Sequence, residues 1–214
     1  MSGPNRLPAE TLSPLAERVD AVLALYGYEM APAIDAIDDA VDGHGGLFGP
    51  DTTDGEIRAA IEDVLAGGPP ESTAGAEAAG REVVLYVDGS SRGNPGPAGA
   101  GAVIIVDETT VATLGRPVGT RADNNIAEYA ALQLGLDALA PHDPASVEVR
   151  IDSMTVVDAI WGEEGEPIEP YGAAISDHLS ALSAHEWTHL VDSDPNPADA
   201  RATVGADIAA LGPG

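Results

Sequence analysis

Residues 86–106 read YVDGSSRGNPGPAGAGAVIIV. The stretch opens as an apolar strand, breaks at Asp88, crosses a loop of glycine, serine, asparagine and proline, and returns as a second apolar strand. Aromatic and β-branched residues on both sides favour extended pairing. The prolines exclude a helix through the middle. The fold must therefore contain a sheet with a tight connection here, and Asp88 reads as the end of the first strand. A plain turn would explain the loop. So would a bulky, phosphate-rich ligand that has to approach the backbone, with a metal on the aspartate.

The flanking patterns fix the rest of the architecture. VVLYVD is a continuous apolar run, as expected of a central strand. GAVIIVDETTVATLG reads as two strands joined by a turn near Asp107 and Glu108. NNIAEYAALQLGLDAL has helical spacing at Ile126, Ala127, Ala130, Ala131 and Leu134. VEVRID is a further strand, SMTVVDAIW and YGAAISDHLSAL are helical, and HEWTHLV is the last strand. NPADARATVGADIAAL closes the chain as a helix, with Asn196 as the expected N-cap and Pro197 as its first residue. The order β-β-β-α-β-α-β-α predicts an α/β fold: a mixed five-stranded sheet flanked by helices.

Ahead of this lies a different pattern. Leu12–Tyr28, MAPAIDAIDDAV and TTDGEIRAAIEDVL carry helical periodicity, and Thr53 with Glu56 matches a capping box. The segment GGPPESTAGAEAAG is rich in glycine, proline and small residues and reads as a linker. The expected organisation is a small acidic helical module over 1–66, a linker over 67–81 and an α/β domain over 82–214.

Charge narrows the setting. The chain of 214 residues has 36 acidic and 9 basic residues, all nine arginine, for a net charge of −27. Such a chain repels itself in dilute buffer. At ~1 M salt the Debye length falls to ~3 Å and most of that repulsion disappears. Clear strand and helix patterns argue against an acidic disordered protein, so the composition points to a salty cytoplasm. With no cysteine there is no disulfide, thiolate site or cysteine nucleophile. No run approaches the ~20 apolar residues of a membrane span, and the opening MSGPNRLPAETLSPL lacks the order of a secretory signal.

Four carboxylates fall at element ends: Asp88, Asp152, Glu128 and Asp199. Taken singly, each has an ordinary explanation, because aspartates end strands and acids favour helix N-termini. Together they are the oxygen ligands that hard cations need. Two such cations about 3.5–4 Å apart can drive phosphodiester hydrolysis.

YVDGSSRGNPGPAGAGAVI, NNIAEYAAL, RIDSM and NPADA occur in that order on those elements. The set resembles type 1 ribonuclease H, in a form similar to that of halophilic archaea, over about residues 82 to 211. The resemblance implies a ribonuclease H-like fold and a monomeric endonuclease that cuts the RNA strand of RNA–DNA hybrids with two Mg2+ or Mn2+ ions. It implies that Asp88, Glu128, Asp152 and Asp199 are both the catalytic and the metal-binding residues. One ion would lie mainly on Asp88 and Asp199, the other on Asp88, Glu128 and Asp152. It also implies that Gly89, Ser90, Ser91, Arg92, Asn94, Asn124, Asn125 and Ser153 contact the hybrid. Recognition of the 2′-hydroxyl is what distinguishes RNA from DNA at such a site.

The chain departs from the family in places. Met154 stands where many relatives have glutamine, and the acidic WGEEGEPIEPY replaces a basic, tryptophan-rich protrusion. Trp161 and Trp187 are therefore expected in the core. His189 is the nearest counterpart of an auxiliary histidine that precedes the fourth acid in some relatives. Asp192, Asp194 and Asp207 compete with Asp199 for that fourth place, and Asn196 is one residue closer to Asp199 than expected. Residues 1–80 carry three arginines against fifteen acids, a formal charge of −12. That makes the helical module a poor duplex binder, so it is a stabilising appendage or a contact for a protein partner. Two other readings remain open: a nuclease of this fold acting on another duplex, and a catalytically silent nucleic-acid- or protein-binding module.

Overall fold

A computed structural model of the chain describes residues 7–42, 45–68, 76–191 and 193–212. Part of the expected linker, 69–75, lies outside the described residues, as does Asp192. The sheet has five strands: β1 (Glu82–Ser91), β2 (Gly96–Val106), β3 (Thr109–Ala122), β4 (Ser146–Ile151) and β5 (His185–His189). Their spatial order is β3-β2-β1-β4-β5. The first three form an antiparallel meander, and β4 and β5 join β1 in parallel. Asp107 and Glu108 make the turn between β2 and β3, both in the left-handed region (φ 48° and 63°), as a two-residue hairpin requires.

The first strand does not stop at Asp88. It runs on to Ser91, with Asp88 opposite Gly101 and Ser91 opposite Ala98. The facing stretch of β2 is all glycine, alanine and proline from Gly96 to Ala102, so nothing bulky forces the hairpin open. Asp88 thus sits within a ladder, and only residues 92–95 form the connection.

Helices cover both faces. On one side α4 (Asn124–Leu139) packs on β1 and β2. Its N-cap is Asp123, whose side chain accepts from the Ile126 N–H at 3.0 Å; the two asparagines after it are left free of that task. A side chain at Gly89 would collide with the backbone of α4 at Ala127 and Glu128, so glycine there lets the helix sit close to the strand. On the opposite side α7 (Asp199–Ala209) lies across β2 and β3, where Gly99 and Gly101 give its backbone the same close approach. The last helix starts later than expected: Ala198 is its N-cap, and Asn196 lies in the turn before it. Between β4 and β5 run α5 (Met154–Trp161) and α6 (Tyr171–Ala181).

The N-terminal helices α1 (Pro14–Leu25), α2 (Met30–Ala40) and α3 (Asp54–Gly67) form as their periodicity predicts. Ser13 caps α1, and the Thr53–Glu56 capping box starts α3. Their apolar faces share one core with the sheet, through residues such as Val19, Leu23, Ile37 and Ile61. The segment also dresses the outer edge of β3. Glu10 N–H donates to Val118 O (2.7 Å), Thr120 N–H to Thr11 O (2.9 Å) and Gly115 N–H to Tyr28 O (3.0 Å). Arg116 of β3 is fully buried beneath it, 3.9 Å from Asp20 of α1. Its Nη2 donates to Leu7 O (3.1 Å), and its guanidinium lies 5.3 Å from the Tyr28 ring centre.

One of the two tryptophans departs from expectation. Trp187 is half-buried against the core, but Trp161, at the end of α5, is 55% exposed and meets Trp187 edge-to-face at 6.3 Å. The glycine- and glutamate-rich stretch that follows it supplies no apolar cover.

Candidate active site

Parallel pairing of β1 with β4 ends at Tyr86 and Arg150. Two residues further on, Asp88 and Asp152 extend side by side from neighbouring strands. Glu128 reaches the same point from the second turn of α4, brought in by the close approach at Gly89. The three residues offer carboxylate oxygens that all lie within 4.8 Å of one another. Asp199, the first residue of α7, lines the adjoining cleft of about 260 Å³ with Asp88, Asp152, Asp194, Asn196, Leu190 and Val191.

Concentrated negative charge and burial dominate the electrostatics. Asp88 is raised from 3.8 to about 7, first by burial and then by the charges of Asp152 and Asp199. Glu128 is raised from 4.5 to about 9, by burial and then by Asp152 and Asp88; bonds from the Gly89 N–H and the Asn124 side chain oppose the rise. Asn124 Nδ2 donates to Glu128 Oε1 at 3.3 Å. Glu128 Oε2 is buried with no hydrogen-bond partner among the described residues. A buried, unpaired carboxylate oxygen is costly, and a cation would satisfy it. The donor set is all oxygen, which suits magnesium or manganese.

Around these acids stand the other expected residues. Asn94 Oδ1 accepts from the Asn124 N–H at 3.2 Å, tying the connection after β1 to the start of α4. Gly89, Ser90 and Ser91 lie on the final stretch of β1, and Ser91 Oγ donates to Gly93 O at 2.7 Å. Arg92 is ion-paired with Asp207 of α7, which places Asp207 away from the cleft-lining acids. Asn125 is exposed, and Ser153 precedes α5 as its N-cap without a side-chain cap bond. His189, at the end of β5, sets Nε2 3.1 Å from the Asp152 carbonyl oxygen; His185 lies at the other end of that strand, against Trp187.

Two further residues belong to the site: Asp194, one of the acids that compete with Asp199 for the fourth place in the sequence, and Asn196, whose role beyond a helix cap was not anticipated. Asp194 lines the cleft as a further acid, its Oδ2 accepting from the Val191 N–H at 3.2 Å. Asn196 reaches from the turn before α7 to β1: Nδ2 is 2.9 Å from Val87 O and 3.5 Å from Asp88 Oδ1. Its unusual spacing from Asp199 was the one sequence signal that pointed to it.

A family model described as reverse transcriptase-like matches residues 86–205. Ribonuclease HI of the halophilic archaeon Halobacterium salinarum is 32% identical over 150 residues, covering 68% of this chain and 75% of that protein. The bifunctional protein Rv2228c of Mycobacterium tuberculosis is 44% identical over 82 residues, 38% of this chain but only 22% of that longer protein. The solved N-terminal RNase H domain of the latter superposes with a TM-score of 0.56, at 32% identity over 61% of this chain and 96% of that one. LC11-RNase H1, solved in complex with an RNA/DNA hybrid, gives a TM-score of 0.53 at 29% identity over 58% of this chain and 96% of its own. A mixed sheet with this strand order, carboxylates gathered where β1 and β4 lie side by side, and sequence kinship over most of the Halobacterium protein lead to one conclusion: the chain belongs to the type 1 ribonuclease H family.

Proposed function

We propose that the chain is a metal-dependent endonuclease that hydrolyses the RNA strand of RNA–DNA hybrids. The observation that carries the reading is the Asp88–Glu128–Asp152 cluster, with its partnerless Glu128 oxygen, beside a cleft that also holds Asp199. These four carboxylates would hold two Mg2+ or Mn2+ ions, which when bound supply an activated water and stabilise the leaving 3′ oxygen. Asp88 is central, since it belongs to the cluster and lines the cleft. Asn124 orients Glu128, and Asn94 anchors the loop to the helix that carries it.

The hybrid is recognised by neutral groups in this reading. Gly89, Ser90, Ser91, Asn94, Asn124, Asn125 and Ser153 would offer amides, hydroxyls and backbone groups to the hybrid, with Arg92 as the cation in the loop. His189, whose Nε2 lies 3.1 Å from the Asp152 carbonyl oxygen, would take an auxiliary role. A −27 protein that grips a polyanion this way depends less on salt-sensitive ion pairing. It works in a salty cytoplasm, in keeping with its relative from a halophilic archaeon. Among the described residues no helix is long and apolar enough to cross a membrane.

Replacing Asp88 or Asp152 by Asn tests the assignment. Each variant should retain its circular dichroism spectrum and lose cleavage of a labelled hybrid by about a hundredfold to a thousandfold, the scale of a lost electrostatic element of catalysis. Retained activity would remove that residue from the mechanism.

A further inference from the structure

We propose that Asn196 is a positioning residue: it holds the Asp88 carboxyl and the start of α7 in one fixed relation, and so sets the spacing between Asp88 and Asp199. The inference rests on the metal-dependent reading above. β4 pairs with β1 only as far as Tyr86, and just beyond that point Asn196 Nδ2 takes the Val87 carbonyl at 2.9 Å and approaches Asp88 Oδ1 at 3.5 Å. The other end of the same amide works on α7. Asn196 Oδ1 accepts from the Ala198 N–H at 3.1 Å, and the Asn196 carbonyl accepts from the Asp199 N–H at 3.2 Å. One side chain therefore joins the strand that carries one acid to the turn that carries the other, across more than a hundred residues of sequence.

The chemistry of the position favours asparagine. The site needs a donor toward β1 and an acceptor toward α7 within one short side chain, and an amide supplies both. Aspartate could not donate to Val87 O and would add a charge beside Asp88. Serine could still accept from the Ala198 N–H but is too short to reach the strand. Groups that orient metal ligands in this way typically change metal affinity or activity by about 10–100-fold when lost.

The test compares Asn196→Ala and Asn196→Ser with the full-length parent in molar salt. Mn2+ binding is followed by titration calorimetry, hybrid cleavage by steady-state kinetics, and metal-free stability by thermal melting. Both variants should bind Mn2+ about tenfold more weakly and lose about 10–100-fold in kcat. KM for the hybrid should stay within about twofold, the signature of a lost transition-state contribution without lost substrate binding. If Asn196→Ala fails to fold, Asn196→Ser carries the comparison. Parent-like Mn2+ affinity and kcat in Asn196→Ser would overturn the proposal. So would an Asn196→Ser variant whose only change is an earlier melting temperature, because the role would then be purely structural. A parent that binds Mn2+ yet cuts no hybrid would refute the hydrolytic reading and leave this one standing. A parent that binds no Mn2+ would overturn this proposal together with the metal-dependent reading.

Discussion

Glu128 and Asp88 hold carboxyl groups where an isolated charge is expensive, and that cost is readable as a pH dependence. Both take up protons more readily in the folded chain than in the unfolded one, since burial and neighbouring acids raise them to about 9 and about 7. The stabilisation from those protons is complete below the ordinary values of 4.5 and 3.8. It is lost as pH rises through about 7 for Asp88 and about 9 for Glu128. The metal-free protein should therefore melt at a lower temperature at pH 9 than at pH 6 in the same salt. Saturating Mg2+ should shrink or reverse the difference, because the cation replaces the protons. Calorimetric melting at both pH values checks this; equal metal-free stability would contradict the burial account. The identity of these acids was legible only through the local motifs around them, since a chain with 36 acids places some at element ends by chance. The role of Asn196 was not legible: its partners at Val87 and Asp88 are remote in sequence, and N-P-A-D reads locally as a helix start.

At the scale of elements, the hydrophobic periodicities carried the strand and helix order, because each element buries one face or both. They misplaced the end of β1 for a physical reason. DGSSRGNPG is locally turn-like, but nine consecutive pairings with β2 outweigh that preference where the facing residues are small. The relation of the N-terminal helices to the sheet was equally hidden, because it rests on a shared apolar core, on bonds along the edge of β3 and on one buried arginine of that strand. Arg116 and Asp20 are both fully buried, and the segment that holds Asp20 also satisfies the edge of β3. An uncovered edge strand invites aggregation, so we infer that α1–α3 belong to the folding unit of the sheet. Asp20→Ala should then cost about 3–5 kcal/mol, because it removes the buried carboxylate beside the Arg116 guanidinium together with the other contacts of that side chain. Urea unfolding measures it; a loss below about 1 kcal/mol, the range of exposed pairs, would show that the contact is dispensable.

For the molecule as a whole, charge is the controlling quantity. Among the described arginines, Arg18, Arg58, Arg81, Arg92, Arg116 and Arg150 are each paired with a carboxylate, which leaves a large uncompensated acidic excess on the surface. In dilute buffer that excess opposes compaction, and at ~1 M salt it is screened within ~3 Å. Circular dichroism should show helicity rising from dilute buffer to molar salt; equal helicity at both ends would sink the adaptation to salt. The protein, shown to be folded in molar salt, should be incubated with a labelled RNA–DNA hybrid, matched duplex DNA and matched duplex RNA, with Mg2+, with Mn2+ and with neither. Metal-dependent cutting confined to the RNA strand of the hybrid is the predicted result. No cutting under any metal condition, or equal cutting of all three duplexes, would contradict it.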